Sequence, residues 1–169
     1  MKFDLEKYRQ PEVEEIDWPA TRANFKVFLV AYRRAREKVG QPPTPKVTQS
    51  FMLVPPSTTN PRSGEAERML IRREEDLEEF NELHELFMDG YAAINTVNPE
   101  RSERRKKIFF LRYLQGLLVE EISERLFIGR DLISQESKKA IRQFCNELEL
   151  IVTKSETGRK KESDKQKEG

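Results

Sequence analysis

A chain of 169 residues with 36% hydrophobic and 36% charged side chains is apolar-poor and charge-rich for a globular protein, with room for one ordinary domain or two small ones. Its formal net charge of +1 leaves bulk charge silent about partners, and a single cysteine, Cys145, excludes an internal disulfide and points to a reducing compartment. No apolar run approaches membrane-spanning length, and residues 1–15 lack the apolar segment of a secretory signal, so the expectation is a cytoplasmic protein with no membrane partner.

Residues 1–23 mix charge with Pro11, Trp18 and Pro19 and read as a mostly irregular arm. Asn24 is placed to cap a helix running to about Val39. Phe25, Phe28, Tyr32, Ala35 and Val39 form its apolar stripe, and Gly40 and Pro42 stop it. Residues 1–40 are therefore an arm and a helix. Residues 41–64 contain six prolines, which exclude a helix interior and suggest a linker. Within it Phe51, Met52, Leu53 and Val54 are apolar enough to dock on a neighbour.

Ser63 is suited to cap a long amphipathic helix from about Glu65 to Asn95, with an interruption expected near Asp89-Gly90. Its apolar positions include Met69, Leu70, Leu77, Phe80, Leu83, Phe87 and Tyr91. Residues 65–91 carry ten acidic and three basic side chains, so 65–97 is a long acidic helical segment. Asn98-Pro99 marks its boundary. Residues 153–169 are almost wholly polar and read as a disordered charged tail.

The clearest pattern lies in residues 98–152, where three helices are expected. The first spans about Arg104 to Gln115 and ends at Gly116. The second spans about Val119 to Phe127, with Val119, Ile122 and Leu126 buried. Phe127-Ile128-Gly129 supplies a tight turn, with Gly129 assigned any unusual backbone angles. The third spans about Arg130 to Leu148. Its Ile133, Ala140, Ile141 and Phe144 share one face. Arg130, Asp131, Ser134, Gln135, Lys138 and Arg142 project from the other, and their chemistry suits base edges and phosphates. The fold class is therefore all-α, ending in a three-helix helix-turn-helix domain. Residues 101–142 hold eleven basic and six acidic side chains. Within them the basic residues Arg101, Arg104, Arg105, Lys106 and Lys107 at the start of the first helix are expected to reach phosphates.

Other chemistry finds no footing. His84 is the only histidine and has no metal-ligand spacing around it. Glu74, Glu75, Asp76, Glu78 and Glu79 wind around a helix without a companion base, as a solvated face does. No glycine-rich phosphate loop is present. No enzyme activity, metal or cofactor is expected.

The stretch KKIFFLRYLQGLLVEEISERLFIGRDLISQESKKAIRQF resembles region 4 of sigma factors, the part that reads promoter DNA. The match is carried by Leu111-Arg112-Tyr113, Gly116-Leu117, Glu121-Ile122, Glu124, Leu126, Ile133, Lys139-Ala140-Ile141 and Phe144. The order of PKVTQSF, NPRSGEAERMLIRREEDLEEF and the helix-turn-helix resembles the ArpU-type phage transcriptional regulators over about residues 45–150. Leu118 and Gly129 stand where a serine or threonine usually caps these helices, and Ser134 replaces a common arginine.

The resemblance implies a sequence-specific double-stranded DNA-binding regulator of phage or prophage genes, often late ones, in a bacterial host. It places Arg130, Asp131, Ser134 and Gln135 at base-reading positions and Lys138 and Arg142 toward the backbone. Alternatives are a phage terminase small subunit, a sigma-like RNA polymerase helper or a helical interaction module. The acidic helix 65–95 is expected to pack on the domain, pair two copies as a homodimer or meet RNA polymerase.

Overall fold

The computed structural model describes residues 11–42 and 65–157. Among these the regular structure is helical, apart from one antiparallel bridge between Ile16 and Thr153. No described helix is long and apolar enough to cross a membrane.

Helix α1 (Trp18–Lys38) starts well before the expected Asn24. Asp17 is its cap, accepting from the Ala20 N–H at 3.1 Å, and Pro19 occupies the first turn, where a missing N–H costs nothing. Trp18 and Pro19 therefore open a helix rather than extend an arm. Asn24 lies inside α1, and its amide donates to the Leu150 carbonyl at 3.2 Å. Phe25, Phe28, Leu29, Tyr32 and Ala35 are buried along one stripe.

Helix α2 (Glu65–Ala93) runs antiparallel to α1. Lys38 meets Asp76 and Glu79 at 3.2 and 2.6 Å, and the Tyr32 ring stacks on Phe87 at 4.7 Å. The helix does not break at Asp89-Gly90. Gly90 is instead a contact point, where an added Cβ would lie 2.6 Å from Leu148 Cδ1 and 2.7 Å from Phe144 Cε2. The Ser63 cap and residues 43–64 of the linker lie outside the described residues.

Helix α3 (Pro99–Phe109) begins five residues before the expected Arg104. Asn98 caps it, accepting from the Arg101 N–H at 3.1 Å. The helix widens into a π-helical turn, Phe110–Leu114. Arg33 of α1 donates to the Tyr113 and Leu114 carbonyls at 2.8 and 3.1 Å, satisfying groups at the end of this turn. Gly116 follows with φ 75°, a left-handed position that suits glycine. Helices α4 (Val119–Leu126) and α5 (Arg130–Glu147) complete the set. The Leu118 side chain cannot cap α4, but Glu121 reaches back to accept from the Leu118 N–H at 2.6 Å, which is half of a capping box.

One large core joins α1, α2, α3 with its π turn, and α5. A smaller core of Ile108, Leu111, Ile122 and Ile133 holds α4 on α5. Side chains from residues 11–40 and 65–97 therefore share a core with those of 98–152. The segment expected to be a tail is ordered at its start. Asp17 N–H donates to the Val152 carbonyl and Lys154 N–H to the Glu15 carbonyl, both at 2.9 Å, and residues 154–157 form one helical turn. Residues 158–169 and 1–10 lie outside the described part.

A second polar feature pins α1 to α2. Arg36 is buried, donating to the Pro42 carbonyl at 2.6 Å and to the Tyr32 hydroxyl at 3.2 Å. That hydroxyl also meets His84 Nδ1 at 2.8 Å. Burial, then the Arg36 charge, push the His84 pKa below its ordinary 6.5.

Two outcomes follow. Gly90→Ala should lower stability by about 1–3 kcal/mol through overpacking, where helix propensity alone would give a gain; a raised thermal midpoint would refute the contact. Unfolded His84 binds a proton more readily than folded His84, so stability is full above pH 6.5 and declines as pH falls through the depressed folded value. Urea titrations of His84→Gln should lack that decline.

Candidate nucleic-acid interface

Helices α4 and α5 are joined by the three residues Phe127-Ile128-Gly129. The left-handed residue is Phe127, with φ 56° and ψ 42°, and not Gly129, which is extended at φ −62° and ψ 143°. A helix commonly ends on a left-handed residue, and here a phenylalanine takes that place at a cost of about 1–2 kcal/mol. The residue is 95% exposed. Ile128 packs on the small core, and the Ser123 hydroxyl donates to the Ile128 carbonyl at 2.7 Å, which stitches the turn to α4.

On α5, Ile133, Ser137, Ala140, Ile141 and Phe144 are buried. Arg130, Asp131, Ser134, Gln135 and Lys138 are exposed, and Arg142 is half-buried. The sequence-predicted face is thus assembled on one side of one helix. Its two ends differ. Among the described residues, the outward side chains of the first two turns make only a long contact between Arg130 and Glu120, 3.6 Å. Further along, Lys138 Nζ sits 4.7 Å from the centre of the Trp18 ring, and Arg142 donates to the Pro11 carbonyl at 2.8 Å. The N-terminal segment therefore occupies both cations expected to face a DNA backbone. Nothing in the sequence pattern linked Trp18 to Lys138.

The basic run Arg104 to Lys107 does not act as a unit. Four consecutive residues of a helix span a full circumference, so one must face inward. That residue is Arg105, which is 8% exposed. Its Nε donates to Glu136 at 2.6 Å and its Nη1 to Gln143 at 2.9 Å. Arg105 is thus a strut between α3 and α5, and the expectation that it reaches phosphate is corrected. Burial works to raise the Glu136 pKa. The hydrogen bond and charge of Arg105, with the charges of Lys139 and Arg104, outweigh it and hold the carboxyl below 4.5. Lys106 is half-buried, 5.6 Å from the Tyr91 ring centre. Lys107 is exposed. Arg104 is partly buried, and its Nε has no hydrogen-bond partner among the described residues.

Arg104, Arg101, Gln135 and Lys139 line a cleft between the start of α3 and α5. Arg101 belongs to the basic run read from the sequence, whereas Lys139 entered only through the resemblance and was given no contact with DNA. The signal for Lys139 was its spacing, four residues after Gln135 on the same helix face. Cationic side chains on α3 therefore border the outward face of α5 on one side, and Trp18 and Pro11 border it on the other.

Among the described residues no group of His, Cys, Asp and Glu is arranged to hold a metal ion. Cys145 is buried, and burial pushes its thiol up to about 12, far from the range of a reactive thiolate. No family model, curated protein or solved structure matches the chain.

Removing the Arg105 guanidinium takes the 2.6 Å partner from buried Glu136 and leaves it only a long contact of 3.7 Å with Lys139. Arg105→Ala should therefore cost about 3–5 kcal/mol in denaturant unfolding, and Lys107→Ala no more than about 0.5 kcal/mol. Equal effects would refute the assignment of Arg105 to the interior.

Proposed function

We propose that the chain is a sequence-specific double-stranded DNA-binding transcription regulator, acting in the cytoplasm of a bacterial host. The observation that carries this reading is the exposed row Asp131, Ser134 and Gln135 on the first two turns of α5, reached through a short helix and a three-residue turn. This is the shape of a helix-turn-helix whose second helix enters the major groove by its N-terminal residues. A groove about 12 Å wide accepts a helix about 10–12 Å across.

In this reading Gln135 pairs with adenine, Arg130 with guanine, and Asp131 accepts from a cytosine amino group. Lys139, Arg101 and Arg104 hold phosphates on the α3 side. Lys138 and Arg142 reach the backbone only by exchanging their contacts with Trp18 and Pro11. Assignment to phage or prophage genes rests on the resemblance to ArpU-type regulators, and contact with RNA polymerase belongs to the same proposal. The absence of any metal or nucleophile constellation in the sequence supports a binding protein over an enzyme.

Selection of bound duplexes from a random pool, repeated at two salt concentrations, tests the reading. A motif that persists at higher salt is expected. Gln135→Ala should relax preference at one base pair by about 1–3 kcal/mol, whereas Lys139→Ala should weaken all duplexes alike and reduce the salt slope by about 1. Two variants that lose affinity identically across sequences would sink base readout.

A further inference from the structure

Helix α2 presses one side on α1 and α5, and its opposite side is a ridge of carboxylates. Glu75, Glu78, Glu82, Glu85 and Asp89 alternate three- and four-residue spacings, which sets them in one row about 21 Å long. All five are exposed, and none is in an ion pair among the described residues. Such neighbours repel one another along a helix. Leu86, 45% exposed, stands beside the row, and Ile71, 49% exposed, extends it.

A surface of opposite sign lies on α1. Arg22, Lys26 and Arg33, joined by Arg112 from the π turn, rim a cleft that Leu29, Val30 and Tyr113 line. Along α1, Arg22, Lys26, Leu29 and Arg33 repeat the spacings of four, three and four that the carboxylates follow. Among the described residues Arg33 bonds only to main-chain carbonyls. Arg22, Lys26 and Arg112 have no ion pair among the described residues. Val30 at the cleft is 37% exposed.

We propose that these two surfaces are the halves of one interface between copies of this chain, the carboxylate ridge of α2 seating on the cationic cleft of α1 in the next copy. Charge sign, row spacing and the apolar side chains at each surface agree. One molecule cannot satisfy itself, because α2 already packs on the Phe28, Tyr32 and Ala35 side of α1 while the cleft opens on the Lys26 and Arg33 side. The contact therefore joins two unlike surfaces of neighbouring copies, which a reciprocal pair satisfies twice. An apolar floor offers nothing to a nucleic-acid backbone, and the ridge is supplied by the chain itself. Exposed charges make such an interface sensitive to salt.

Sedimentation velocity of the full chain, without DNA, tests this. The wild type should self-associate at low salt and dissociate at high salt. Reversing the ridge (Glu78→Lys with Glu82→Lys) or the cleft (Arg22→Glu with Lys26→Glu) should leave each variant monomeric at low salt. Mixing the two variants should restore assembly, because each reversed surface then meets its complement. A wild type that stays monomeric at low salt, a reversed variant that assembles like the wild type, or a mixture that stays monomeric would each overturn the proposal. The readout is mass, so its failure is separate from a failure to bind DNA.

Discussion

Phe144 stands on the inner side of α5, where four other rings converge on it. Its ring centre lies 5.2 Å from Phe109, 5.5 Å from Phe25, 5.7 Å from Phe28 and 5.9 Å from Phe87. Each such pair adds about 0.5–1.5 kcal/mol beyond the area it buries. The partners come from α1, α2 and α3, so a single side chain ties three helices to the back of the fourth. Gly90 makes the approach of α2 to this ring feasible. The outward face of α5 carries Asp131, Ser134 and Gln135, and its direction is set by this cluster on the other side of the same helix.

Rings alone leave a helix free to roll. Arg105 and Glu136 remove that freedom between α3 and α5, since a two-ended polar contact of 2.6 Å holds in one orientation. Buried ion pairs of this kind add little net stability compared with apolar replacements. Their contribution here is geometric. The hydrogen bonds from Arg36 to Tyr32, and from there to His84, act likewise between α1 and α2. The segment around Pro11 to Asp17, fixed to residues 152–157, does so for the distal half of α5.

Much of this was legible in the sequence where periodicity and punctuation agreed. Helices α4 and α5 end within a residue of expectation, because Gly116, the Phe127-Ile128-Gly129 turn and clean apolar stripes delimit them. The all-helical class followed from the same stripes. The start of α1 was obscured because Trp18 and Pro19 were read as part of an irregular arm, although Pro in a first turn is an initiation signal. The start of α3 was missed for the same reason at Asn98 and Pro99. Gly90 looked like an interruption because the partner that needs its bare backbone, Phe144, lies more than fifty residues away. The run Arg104 to Lys107 looked uniform because sequence shows charge but not which way each residue faces. Trp18 gains its position beside Lys138 only from packing.

The bridge between Ile16 and Thr153 has a consequence during synthesis. Helix α1 cannot complete the burial of Phe25 and Phe28 until Phe144 has emerged, and its entry segment has no partner until Val152 follows. At 5–20 residues per second the interval is on the order of ten seconds. For the last part of it an aromatic helix face waits beside the ribosome with only α2 to cover it. Nascent α1 should accordingly be a client for holding chaperones, and the yield of the protein should depend on translation speed across the second half of its message.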